Sequence, residues 1–273
     1  PIRAVTFVLI KRKTMNIDSH FIQGATHRVC EDYTLHGETD EIAYIIVCDG
    51  CSSAPHTDFG ARLIAHSVEQ AIREFGELTR QKLEWQLQLC KGYTDVQGLD
   101  RRMLLSTVLV AIYNKEKQSF YILMAGDGHC FLDSKEGPLH IDIQSPHNTP
   151  YYPAYNITRK DQEEYKECLK DKGQTVVHMN DGDEDPTNVA LETGMPFIFQ
   201  PDYPIASVIL TTDGIDQVID RDTGERVVID DIITHFPSAA GAFAVRKLRF
   251  LKKTWNRNYI TNADDIGIAG IIL

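Results

Sequence analysis

Ile45-Ile46-Val47-Cys48-Asp49-Gly50 runs an apolar segment straight into an Asp-Gly pair, and the chain uses the device twice more. Ile122-Leu123-Met124-Ala125-Gly126-Asp127-Gly128 and Val208-Ile209-Leu210-Thr211-Thr212-Asp213-Gly214 have the same form. Near the end of the chain the order inverts, with Asp264-Asp265 leading into Ile266-Gly267-Ile268-Ala269-Gly270-Ile271-Ile272-Leu273. Short apolar runs bounded by turn residues read as buried strands. An aspartate at the rim of such a strand is costly unless its charge is compensated. Aspartates tied to four strand ends are placed to converge at one edge of a sheet structure, and their mutual repulsion there calls for divalent cations. Carboxylate and water ligands suit Mg²⁺ and Mn²⁺. Asp-Gly is also a favoured hairpin turn. That simpler role suits Asp127-Gly128, which lies between two strand-like runs, better than it suits Asp49-Gly50 or Asp213-Gly214, which precede helical patterns.

Working outward from these motifs, residues 20–26, 33–37 and 42–48 read as strands. Residues 57–78 carry Phe59, Leu63, Ile64, Val68, Ile72 and Phe75 at helical spacing, with Thr57 or Asp58 as the cap. Residues 81–91 continue in helical style. Residues 104–113 and 119–125 form a strand pair across Asn114-Lys115-Glu116-Lys117, and 130–133 and 139–143 add two strands. Residues 197–199 and 207–212 are strands, 228–236 and 239–258 helices, and 266–273 the last strand. The helix over 239–258 has a basic face (Arg246, Lys247, Arg249, Lys252, Lys253, Arg257). Residues 145–200 differ in character, with Pro146, Pro150, Pro153 and Pro186 and the acidic run Asp181-Gly182-Asp183-Glu184-Asp185. They read as a flap or insert beside the core, with one amphipathic piece at 160–172. Runs of strands beside runs of helices indicate an α+β layered domain. One domain is expected over residues 15–273. Residues 1–14 read as an N-terminal extension, Met15 being a candidate natural start.

The chain has 273 residues and 42% hydrophobic content, enough for a sizeable core. A formal net charge of −11 argues against general nucleic-acid binding. Six cysteines are dispersed, so a reduced, cytoplasmic protein is the expectation. Cys48-Asp49-Gly50-Cys51 matches C-x-x-C formally, but lacks the second pair a zinc site needs or the context a redox site needs. No segment approaches the ~18 apolar residues of a membrane span. The apolar run at residues 4–10 precedes Lys11-Arg12-Lys13, the reverse of a signal peptide.

Taken in order, Gly24-Ala25-Thr26-His27-Arg28-Val29-Cys30-Glu31-Asp32, Val47-Cys48-Asp49-Gly50, Ser106-Thr107, Gly126-Asp127-Gly128-His129, Thr212-Asp213-Gly214 and Asp264-Asp265 resemble the metal-dependent protein phosphatases of the 2C type, in their bacterial form. The resemblance covers almost the whole chain, from about Ile17 to Leu273. It implies a four-layer α-β-β-α sandwich, two antiparallel sheets flanked by helices. It implies a metal site of Glu31, Asp49, Gly50 (through its carbonyl), Asp213 and Asp264, holding two Mn²⁺ or Mg²⁺ ions. Asp127 matches an aspartate that, in some members, holds a third, weaker ion together with Asp213. Asp32 matches a residue standing behind the ligands, and Ser106-Thr107 a structural segment. The implied activity is hydrolysis of phosphoserine and phosphothreonine by a hydroxide activated between the two ions. The implied partners are a phosphorylated protein and a cognate serine/threonine kinase.

The sequence departs from the family pattern in places. His27 stands where many members have a phosphate-gripping arginine, and Arg28 follows it, so both are candidates for the phosphate contact. A bacterial branch does carry a histidine near this point. Gly126-Asp127-Gly128-His129 replaces Gly-Asp-Ser-Arg, and Asp265 replaces the usual asparagine. The altered arginine position motivates an alternative, a catalytically weak pseudophosphatase acting as a binding module. A third reading is an unrelated two-metal hydrolase.

Overall fold

A computed structural model describes residues 15–170, 173–182 and 186–273; the expected extension over residues 1–14 lies outside them. Five strands form one antiparallel sheet: β2 (Tyr33–Glu38), β3 (Ile42–Cys48), β4 (Val108–Asn114), β5 (Ser119–Ala125) and β10 (Phe197–Phe199), in the order β10-β5-β4-β3-β2. Seven form the other: β1 (Asn16–Ile22), β6 (Gly128–Ser134), β7 (Gly137–Gln144), β8 (Val176–Asn180), β9 (Thr187–Ala190), β11 (Ile205–Thr211) and β14 (Ile266–Ile272), in the order β1-β14-β11-β6-β7-β8-β9. A small ribbon pairs β12 (Val218–Asp220) with β13 (Ile260–Asn262). The helices are α1 (Thr57–Phe75), α2 (Arg80–Gln97), α3 (Arg159–Leu169), α4 (Asp230–Thr234) and α5 (Phe243–Arg257). Among the described residues no helix is long and apolar enough to cross a membrane.

The layering follows from strand alternation. All seven residues of β3 are buried. Tyr44, Ile46 and Cys48 face α1 and α2, together with Val108 and Val110 of β4. Ala43, Ile45 and Val47 face the other sheet, where they meet Cys130, Leu132, Val208, Leu210 and Ala269. The outer face of the seven-stranded sheet packs Ile209, Ile266 and Ile268 against Phe243, Leu248, Leu251 and Trp255 of α5. Three apolar layers thus separate four structural ones, and the architecture is the α-β-β-α sandwich. Each fully buried Ile or Val side chain contributes ~1.5–3 kcal/mol. A one-residue slip of β3 would exchange its two buried faces, so packing fixes the register and with it the place of Asp49.

Several boundaries differ from the sequence expectation, for identifiable reasons. The first strand is β1, four residues earlier than expected. Asp18 in it is buried because its carboxylate accepts the backbone N–H of Ala244 (2.7 Å) and caps α5, which has no capping side chain of its own. Residues 23–26 leave the sheet because Gly24 and Thr26 donate to Asp265 and Ala263. Helix α1 starts after His56, in the left-handed region at φ 57°, with no side-chain cap. Thr57 Oγ1 instead donates to the Cys51 carbonyl (3.1 Å). The helix ends at Phe75 because Gly76, at φ 70°, closes it. Thr79 then caps α2, which runs to Gln97. Residues 215–218, read as helical, are the end of a 3-10 turn (Asp213–Gln217) and the start of β12.

Asp127-Gly128 is not a hairpin turn. It joins β5 of one sheet to β6 of the other, a crossing made possible by the positive φ of Gly126 (101°) and Gly128 (129°). Within residues 145–200, β8 and β9 extend the edge of the seven-stranded sheet and β10 joins the five-stranded one, while Val177 and Ala154 are buried.

Candidate metal centre

The motifs meet because the strands carrying them are neighbours and their ends point the same way. The start of β2 lies beside the end of β3, with Tyr33 opposite Cys48. The end of β11 lies between the start of β14 and the start of β6, with Thr211 opposite both Ile268 and His129. Glu31-Asp32, Asp49-Gly50, Asp127, Asp213 and Asp264-Asp265 therefore all emerge at one edge, between the two sheets.

The backbone around Asp49 is held on both sides. Its N–H donates to Thr107 Oγ1 (3.0 Å) and its carbonyl accepts the Thr107 N–H (2.8 Å). Gly50 bridges to Ser106, and its N–H points to the Glu31 carbonyl (3.3 Å). Asp32 is buried, and one of its oxygens accepts from Thr212 Oγ1 (2.8 Å), which itself accepts the Gly267 N–H (2.9 Å). Asp264 accepts the Asp265 N–H (2.7 Å) on one oxygen and Gln217 Nε2 (2.5 Å) on the other. Asp265 is 2% exposed, so its carboxylate does not face solvent. Its two oxygens accept the N–H groups of Gly24 and Glu31, both at 2.6 Å, and so tie the loop bearing His27 to the start of β14.

The electrostatics mark these groups as one cluster. Burial, reinforced by the charges of Asp32, Asp213, Asp127 and Asp264, holds the Asp49 carboxyl well above its ordinary range. Burial and then the Asp265 charge do the same to Asp32. Burial and Asp213 raise Asp127. Asp213 is raised by burial even though it lies within hydrogen-bonding reach of Asp49, and Asp264 is raised by burial despite the N–H it accepts. Glu31 is raised by burial against the opposing pull of His27. For His27 burial works downward, but Asp265 and Asp264 outweigh it and the imidazole is raised.

His27 stands among the carboxylates. Its Nδ1 lies 2.8 Å from Glu31 Oε2 and 3.2 Å from Asp265 Oδ2, and its Nε2 lies 3.2 Å from Asp264 Oδ1. Arg28, next in the chain, is exposed and makes no ion pair among the described residues. Buried oxygens of Glu31 (Oε2) and Asp32 (Oδ1) have no hydrogen-bond partner. Clustered acids that resist ionisation, hard oxygen donors and unpartnered buried oxygens together fit divalent cations.

Other polar residues at this edge carried no pattern that sequence could single out. The Tyr152 hydroxyl, from the segment expected to be a flap, contacts Cys51 and feels the charges of Asp49 and Asp127, and burial drives its pKa upward. His129, only 2% exposed, sits 3.4 Å from Asp216, 3.4 Å from Asp142 and 3.1 Å from His140. Its raised pKa is the work of Asp216 and Asp142 against burial. A cavity of about 540 Å³ lies elsewhere, between the outer face of β6–β7 and α4, lined by Phe131, His140, Asp230 and His235. It lacks the converging carboxylates.

The family model for protein phosphatase 2C matches residues 18–249. Solved structures share the fold at low identity. A serine/threonine phosphatase of S. agalactiae aligns at TM-score 0.54 and 11% identity, covering 95% of this chain and 100% of that one. The PPM Ser-Thr phosphatase MsPP from Mycobacterium smegmatis, in complex with cacodylate, aligns at 0.51 and 12%, covering 94% and 97%. PppA, a key regulatory component of T6SS in Pseudomonas aeruginosa, aligns at 0.52 and 15%, covering 94% and 97%. No curated protein sequence matches the chain.

Proposed function

The chain belongs to the protein phosphatase 2C family, and from that premise we propose that it is a metal-dependent phosphoprotein phosphatase acting on phosphoserine and phosphothreonine. The observation that carries the proposal is the gathering of Asp49, Asp127, Asp213 and Asp264 at one edge, each held above its ordinary pKa by burial. Asp49, Glu31, the Gly50 carbonyl, Asp213 and Asp264 are the groups that would hold two Mn²⁺ or Mg²⁺ ions there. Asp127 with Asp213 offers a place for a third, weaker ion. Bound there, divalent cations would supply a water of lowered pKa and neutralise charge on the phosphoryl oxygens.

The protein's own groups do the rest. Thr107 and Ser106 fix the backbone of Asp49-Gly50. Gln217 and the Asp265 N–H orient the Asp264 carboxylate. Arg28, an unpaired cation next to the acidic edge, is the phosphate contact and can grip two oxygens at once. No protein nucleophile is required. The substrate is a phosphorylated protein, the product of a serine/threonine kinase.

The test is hydrolysis of a phosphothreonine peptide and of p-nitrophenyl phosphate, with Mn²⁺ and with chelator. Turnover should require the metal. Asp49→Asn should lower it by more than ~100-fold, since losing even a group behind a ligand costs 10–100-fold. Turnover indifferent to chelator would overturn the proposal. Metal binding without turnover would leave a binding module in its place.

A further inference from the structure

We infer that His27 is itself a metal ligand, supplying Nδ1 to the divalent cation that Glu31 holds, with Asp265 Oδ2 on the same face. The inference rests on the metal site proposed above and specifies the donor set on one side of it. The three ligand atoms lie within 4.8 Å of one another, and among the described residues no other set of three His, Cys, Asp or Glu side chains does so. Nδ1 is 2.8 Å from Glu31 Oε2 and 3.2 Å from Asp265 Oδ2. Two ligands set at right angles around a cation with bonds of 2.0–2.1 Å stand about 3 Å apart, so these are the separations of neighbouring ligands.

The alignment of the atoms argues the same way. Nδ1 and Oε2 are both shielded from solvent and meet at 2.8 Å, with Asp265 Oδ2 beside them, so the three atoms face one small volume. The neighbours hold this arrangement in place. Asp265 is fixed by the N–H groups of Gly24 and Glu31, and Asp264 Oδ1 lies 3.2 Å from the far ring nitrogen, Nε2. With the proton held on Nε2, on the Asp264 side, Nδ1 would be the lone-pair nitrogen offered to a cation. A carboxylate behind a ligating histidine is the usual way its tautomer and ring orientation are set.

A donor set with an imidazole nitrogen has a chemical consequence. Mg²⁺ is best served by oxygen, whereas imidazole favours later divalent ions of the first transition row over it. His27 therefore makes this side of the site less suited to Mg²⁺ than an all-oxygen donor set would be.

The experiment is pulsed electron paramagnetic resonance on the tag-free protein loaded with Mn²⁺, with calorimetric titrations of Mn²⁺ and Mg²⁺ on the same samples. A ¹⁴N modulation from directly bound imidazole is expected, changing to the ¹⁵N pattern when histidine is ¹⁵N-labelled. His27→Gln should abolish it and weaken Mn²⁺ binding about tenfold or more, with Mg²⁺ binding changed by less than about threefold. Bound Mn²⁺ with no nitrogen modulation overturns the inference and leaves the proposed function standing. Modulation that survives His27→Gln also overturns it. Absence of any Mn²⁺ binding overturns both. The wild-type labelling measurement decides the matter even if the variant fails to fold.

Discussion

Gly214→Ala is the substitution that most sharply tests how the metal edge is built. Gly214 follows Asp213 and is packed directly on the loop that carries Asp264-Asp265. A Cβ placed there would lie 1.7 Å from the Asp265 carbonyl oxygen and 2.9 Å from its carbon. The obstacle is backbone, not the tip of a flexible side chain, so one segment must retreat by at least about 1.3 Å to restore even a tight contact. Overpacking of this kind costs ~1–3 kcal/mol. Its effect on the site is larger, because Asp213 and Asp264 ride on the two segments forced apart. A misplacement of about 1 Å can cost ~100-fold in rate. Urea unfolding, calorimetric Mn²⁺ titration and peptide turnover should therefore show a modest loss of stability beside a severe loss of metal affinity and rate. The control is Gly92→Ala on an exposed stretch of α2, where the added methyl meets nothing within 4 Å. That change should stabilise by ~0.5–1 kcal/mol through helix propensity. A Gly214→Ala protein with stability within ~0.5 kcal/mol of wild type and unchanged Mn²⁺ affinity would refute the packing of these two loops.

The raised carboxyls of Asp32, Asp49, Asp127, Asp213 and Asp264 make the metal-free fold bind more protons than the unfolded chain from the ordinary carboxylate pKa of ~4 upward. Their contribution to stability therefore falls as pH rises through that window, and cations replace the lost protons. The melting-temperature gap between Mn²⁺-loaded and chelated protein should widen from pH 4 to pH 8, and a gap that narrows would contradict the cluster. Thr212→Val should destabilise by ~1–3 kcal/mol in urea, because it leaves both oxygens of the buried Asp32 without a partner. Asp265→Asn should cost a similar ~1–3 kcal/mol, since an amide offers one acceptor where Gly24 and Glu31 present two N–H donors. Unfolding curves that overlay wild type would remove Asp265 as the tie between these loops.

What could be read from the sequence follows how each element is stabilised. β3 and β5 were legible to the residue because both of their faces are apolar and a turn or Asp-Gly ends them. β1 was misplaced because Asp18, a polar residue inside a strand, is explained only by the start of α5, 226 residues away. The Asp127-Gly128 turn was misread because a link between two sheets and a hairpin within one use the same residues, and only the pairing of the strands tells them apart. β10 was read at its observed bounds, but β8 and β9 sit in a segment rich in proline and acid, where edge pairing leaves little periodic trace. The aspartates of the site stood out because each ends or starts an apolar strand. Their neighbours Asp265, Thr212 and Gln217 act through contacts across 47 to 241 positions, which no local pattern carries. Arg28 and His27, adjacent in sequence and equal as candidates, separate only in three dimensions, one exposed and the other enclosed by carboxylates.

The most direct test of the account is anomalous scattering from crystals grown or soaked with Mn²⁺. Two strong peaks should lie within bonding distance of Asp49, one also reached by Glu31 and the other by Asp213 and Asp264. A cleft without peaks at saturating Mn²⁺, or peaks remote from Asp49, would contradict the claim that these carboxylates share their charge with metal.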